Sequence, residues 1–99
     1  MPPKIPALGR EAAEALALQA VIVIVGDDDL LLRFLSVTGC GAEDLRLRIG
    51  EPDFLGAVLD FVLEDDATVQ KVADAAGVSP ETLAIARSQF PGESVDWTP

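Results

Sequence analysis

Apolar residues recur along this chain at three- and four-residue intervals, in segments opened by acids or serine and closed by glycine or proline. That is the spacing of amphipathic helices. The first segment, residues 10 to 25, begins with strong helix formers (Glu11, Ala12, Ala13, Glu14, Ala15, Leu16) and ends in Val21, Ile22, Val23, Ile24 and Val25, a β-branched run with a local preference for strand. No other segment offers a comparable run to pair with it, so the pattern predicts helix. Being apolar on nearly all sides, the second half of this helix is expected to be the most buried element. A second helix opens at Asp27, Asp28 and Asp29, carries Leu31, Phe34 and Leu35, and stops near Gly39, Cys40 and Gly41. A third and shorter one is expected over residues 42 to 49, with Gly50 in a left-handed cap. Pro52 then sits in the first turn of a fourth helix whose apolar face is Phe54, Leu55, Val58, Leu59 and Val62. Asp65 and Asp66 open a fifth, with Val69, Val72, Ala73 and Ala76 inward, closing at Gly77. Ser79 as cap and Pro80 at the first helical position start a sixth, which ends before Pro91 and Gly92. The expectation is an all-α fold, a compact bundle of five to six short helices over residues 10 to 90, preceded by a lead at 1 to 9 and followed by a tail at 91 to 99.

A shift of 38 positions, the distance from Gly39 to Gly77, lays the chain on itself. Asp27 then meets Asp65, Asp28 meets Asp66, Glu43 meets Glu81, Leu45 meets Leu83, and Arg33 meets Lys71. Apolar positions follow: Leu16 with Phe54, Val23 with Phe61, Phe34 with Val72, Cys40 with Val78, Leu47 with Ile85. The bundle is therefore expected to consist of two pseudo-repeated three-helix units around one shared core.

Composition narrows the partners. Ninety-nine residues suffice for one domain, and with aromatics at 5% its core must be mainly Leu, Val, Ile and Ala. Seventeen acids against seven bases give a formal charge of −10, a field that repels phosphate backbones and anionic headgroups. Nucleic acid and membrane are thus disfavoured, and the longest apolar run is short of the roughly 20 residues of a membrane span. The mean hydropathy of +0.33 is high for so small a chain and implies apolar side chains left at the surface. One cysteine excludes an intramolecular disulfide and fits a reducing compartment, the cytoplasm by default. The first nine residues, with three prolines, lack the apolar centre of a secretion signal.

Little of this is catalytic chemistry. There is no histidine and no tyrosine, so the commonest general base and imidazole metal ligands are missing, and no serine, threonine or cysteine has a visible activating neighbour. The acid clusters at residues 27 to 29 and 64 to 66 lack the alternating spacing of a calcium loop and sit where helices start, which makes them caps. Cys40 aligns with Val78 and reads as packing. No cofactor and no metal are implied, and the chain is expected not to be an enzyme.

Residues 72 to 83 (Val72, Ala73, Asp74, Ala75, Ala76, Gly77, Val78, Ser79, Pro80, Glu81, Thr82, Leu83) resemble the helix-turn-helix of bacterial repressors. In that likeness Ser79, Thr82 and Arg87 would touch DNA. Taken whole, the order of features at residues 8 to 20, at Arg33, Phe34 and Leu35, and at residues 53 to 61 resembles a bacterial family of short helical proteins known only as a domain of unknown function. The resemblance implies an all-helical fold and supplies no activity. The function expected is a protein-interaction module that binds another protein or itself through apolar surface framed by acids, with Phe90 and Trp97 as contacts. The alternative is a DNA-binding or transcription-associated protein.

Overall fold

The computed structural model describes residues 9–90. They form six helices: α1 (Arg10–Val25), α2 (Asp28–Thr38), α3 (Ala42–Arg48), α4 (Pro52–Leu63), α5 (Asp66–Ala76) and α6 (Pro80–Arg87). No strand occurs among the described residues. The β-branched run at the end of α1 is helical because Val21 and Ile24 point into the core, and tertiary burial outweighs a local strand preference worth tenths of a kcal/mol.

The acids act as caps. The Asp27 carboxylate accepts the backbone N–H groups of Asp29 and Leu30 at 3.1 and 3.2 Å, and Asp65 accepts the N–H and hydroxyl of Thr68 at 3.1 and 2.6 Å. These bonds satisfy donors that the first turn of a helix leaves open. At the other ends of α2 and α5, Gly39 and Gly77 take φ of 72° and 73°, the left-handed region where a side chain is strained. Two expected ends differ. Gly50 has no positive φ: α3 closes through Ile49 at φ −59°, and a 2.9 Å bond from the Glu51 N–H to the Arg48 carbonyl carries the chain into α4 by a right-handed turn. Ser79 precedes α6 as expected, but its hydroxyl pairs with that of Thr82 at 3.0 Å instead of capping a backbone N–H.

α1 is the hub and packs on α2, α4, α5 and α6, while α4, α5 and α6 also pack on one another. α3 packs closely on none of the other helices, buries only Leu45 and leaves Leu47 78% exposed. The repeat therefore holds in local structure and fails in packing. α2 and α5 match in length, caps and left-handed closure, yet α6 is gripped by three helices and its counterpart α3 is not. The sequence explains this: α6 buries Leu83 and Ala86, and at the shift of 38 positions these correspond to Leu45 and Arg48. With a guanidinium at the second core position, α3 buries Leu45 alone, and Arg48 lies across the Phe54 ring of α4 at 5.2 Å instead of entering the core.

The core is mainly aliphatic, but all four phenylalanines are in it. Phe34 of α2, fully buried, meets Phe54 and Phe61 of α4 edge-on, with ring centroids 5.8 and 5.2 Å away and planes at 84° and 81°. Gly56 is the one glycine inside α4, and a Cβ there would lie 3.1 Å from the Arg87 guanidinium and 3.2 Å from the Phe90 Cβ. Its bare backbone lets the end of α6 close onto α4.

Candidate interaction surface

Successive residues of a helix turn by about 100°. On α1 this places the buried Ala13, Leu16, Ala17, Ala20, Val21 and Ile24 on one side and Leu18, Ile22 and Val25 on the other. These three are 39%, 64% and 46% exposed. α1 is thus apolar on both sides, and the expectation that it is the most buried helix holds only for its inner side: α2, α4, α5 and α6 pack on it, yet among the described residues Leu18, Ile22 and Val25 stay exposed. Beside this stripe, Ala12, Ala15 and Gln19 of α1 form one wall of an open groove of about 320 Å³, and Ala76, Val78 and Thr82 from α5, the following turn and α6 form the other. Ala15 borders both, so stripe and groove are one apolar surface.

A second concave region, about 210 Å³, lies where α2 and α5 begin and is lined by Asp27, Asp29, Leu30, Arg33, Asp65, Thr68 and Lys71 among others. The Lys71 ammonium of α5 donates to the Asp27 carboxylate before α2 at 2.7 Å. That bond, followed by the cap bond from the Leu30 N–H, holds Asp27 below its ordinary pKa of 3.8. Asp65 is held low first by the Thr68 hydroxyl, then by the Thr68 N–H, with the positive charge of Arg33 on α2 adding to them. Lys71 therefore ties α5 to the cap of α2 through an ion pair, while Arg33 at the repeat-related position acts on Asp65 by its charge without pairing with it. The carboxylates of Asp27 and Asp65 already have partners, and among the described residues no group of three or more His, Cys, Asp or Glu side chains is placed to hold a metal ion. Cys40 is buried, its thiol 3.5 Å from the Gly41 carbonyl.

Phe90, expected from the sequence as a partner contact, is in the core, and the Arg10 guanidinium lies over its ring at 5.7 Å. Burial of its ring beneath Arg10 removes it from the surface a partner could meet. Trp97 lies outside the described residues. α5 and α6 do form a helix-turn-helix corner around Gly77, but its DNA-contact candidates are not arranged for phosphate or bases. Ser79 and Thr82 bond each other, and Arg87, only 14% exposed at its side chain, donates from Nε and Nη2 to Asp60 of α4 at 2.7 and 3.1 Å and from Nη1 to the Phe90 carbonyl at 3.1 Å. Arg10 with Glu14 and Arg48 with Glu51 form looser, half-exposed pairs at 3.9 and 3.3 Å.

The stripe residues Leu18, Ile22 and Val25 were not individually legible as a site, although the high mean hydropathy signalled some such surface. The pairing of Lys71 with Asp27 was visible in outline, because the repeat aligned Asp27 with Asp65 and Arg33 with Lys71.

No helix among the described residues is long and apolar enough to cross a membrane. No curated protein and no solved structure matches the chain. A family described as "Protein of unknown function (DUF3572)" matches residues 10–93, the whole helical region, and the chain belongs to that family.

Proposed function

We propose that this protein is a non-catalytic interaction module of the cytoplasm whose contact face is the outer side of α1 with the adjoining groove. The observation that carries the reading is the stripe of Leu18, Ile22 and Val25, opposite the side on which α1 meets the core. The water-facing parts of these side chains at i, i+4 and i+7 contribute nothing to the isolated chain, whereas burying what remains exposed of each against a partner is worth about 1 kcal/mol, most at Ile22. The DNA-binding alternative is less well supported, because Arg87, the cation nearest the helix-turn-helix corner on α6, is turned onto Asp60 and the surrounding charge is negative.

Affinity capture from native cells with wild-type protein and with Ile22→Ser tests the proposal. Proteins retained by the wild type and lost with the variant, at unchanged circular dichroism, are the expected result. An identical retained set rejects the α1 face. A mobility shift with mixed duplex DNA at physiological ionic strength tests the alternative, and saturable binding weakened by Arg87→Ala would favour it.

A further inference from the structure

We infer that the occupant of the α1 face is a cationic amphipathic helix of another protein. The inference rests on the interaction-module reading above and adds the chemistry of the partner. The spacing of Leu18, Ile22 and Val25 is that by which one helix receives another laid along it, and the groove beside Ala12 and Ala15 has room for a larger side chain from the edge of such a helix. Both ends of the stripe are acidic. Glu11 lies on the same side of α1, two turns before Leu18, and Asp28 and Asp29 follow within four residues of Val25. None of these three carboxylates makes an ion pair among the described residues; Arg10, next to Glu11, is engaged by Glu14 and the Phe90 ring, and Asp29 borders the concave region that holds Arg33 and Lys71, which leaves Glu11 and Asp28 as the acids open to a partner. A partner with lysine or arginine flanking its apolar stripe would meet acids at both ends of the contact.

A second copy is the poorer occupant. Packed antiparallel, α1 against α1 sets Glu11 of one copy beside Asp28 and Asp29 of the other, and packed parallel it sets Glu11 against Glu11. Either arrangement also brings together two chains of charge −10.

Fluorescence anisotropy with labelled synthetic helices and the full chain tests the inference. One peptide, roughly five turns long, carries leucine at i, i+3, i+4 and i+7 and lysine elsewhere; its twin carries glutamate in place of lysine. The lysine peptide is expected to bind saturably and at least about tenfold more tightly than the twin, and to weaken as salt rises. Ile22→Ser and Leu18→Ser should each weaken it about tenfold with the helical spectrum unchanged, and Glu11→Gln with Asp28→Asn should narrow the gap between the peptides. Equal binding of the twin overturns the cationic inference while leaving an apolar contact face in place. Equal binding of the lysine peptide to wild type and both serine variants overturns the face itself. Sedimentation showing a dimer that Ile22→Ser dissociates assigns the face to a second copy and overturns the inference. A Trp97 emission that moves to the red when the lysine peptide binds, and is already red in Ile22→Ser, assigns the face to the chain's own tail and overturns it as well.

Discussion

Phe34 is the strongest single attachment of α2 to the rest of the fold, and truncating it separates two contributions. The side chain is fully buried and presents itself to Phe54 and Phe61 at near-perpendicular angles. Phe34→Ala removes the ring and leaves a cavity, at a cost of about 3–5 kcal/mol. Phe34→Leu keeps most of the apolar volume and deletes two edge-to-face pairs, each worth about 0.5–1.5 kcal/mol, so it should cost about 1–3 kcal/mol. Against a domain stability of about 5–15 kcal/mol the leucine variant stays folded, and at about 4–8 °C per kcal/mol the loss is visible in a melting curve. Urea unfolding followed by circular dichroism gives each value, and a double-mutant cycle with Phe61→Leu isolates one ring pair, with an expected coupling of about 0.5–1.5 kcal/mol. The reasoning is refuted by a leucine variant that loses less than about 0.5 kcal/mol together with a coupling within about 0.3 kcal/mol of zero.

Gly39→Ala and Gly77→Ala should each cost about 1–2 kcal/mol in urea unfolding; a Cβ at either site meets nothing within 4 Å, so the cost is that of the left-handed backbone alone. Asp27 and Asp65 have folded pKa values below their ordinary 3.8, so they stabilise the fold above that value and the contribution disappears as pH falls through the folded pKa. The urea midpoint should fall as pH drops from about 5 to 2, and less steeply in Asp27→Asn with Asp65→Asn. Asp60→Ala leaves the largely buried Arg87 guanidinium without its carboxylate and should cost about 1–2 kcal/mol by the same unfolding assay, the partial exposure of Asp60 keeping the loss below that of a fully buried pair.

The helices were legible because their ends are written in side chains whose role is local. An aspartate that can accept the N–H of the third residue on, or a glycine that can take a left-handed turn, does so whatever lies beyond it, and Asp27, Asp65, Gly39 and Gly77 behaved accordingly. Gly50 departs from the left-handed cap its position suggests because a glycine after a short helix has two ways out, and the choice depends on where the next helix must start. The repeat was legible only so far as it is local. Whether α3 docks is decided by what occupies the place of Ala86, and Arg48 in that register is informative only once α6 is known to be packed through both of its core positions. The contact face was obscured for a related reason. A helix apolar all round ordinarily belongs at the centre of a bundle, and nothing along α1 says which side the other helices will take. Arg87 carried no sign of its inward turn, since Asp60 is 27 residues away and reaches it only through the packing of α6 on α4.

The position of α1 as hub also orders events while the chain is being made. Of the four helices that cover its inner face, three come from the second half of the sequence. At about 5–20 residues per second, some 3–13 seconds separate synthesis of Val25 from that of Phe90. Until those three helices are made, the run of Val21, Ile22, Val23, Ile24 and Val25 is an uncharged β-prone segment that has only α2 to pack against, the composition from which intermolecular sheets nucleate. Asp27, Asp28 and Asp29 follow it directly. Besides starting α2, they put a block of negative charge against the aggregation-prone segment during the interval when it is least protected, as gatekeeper residues do.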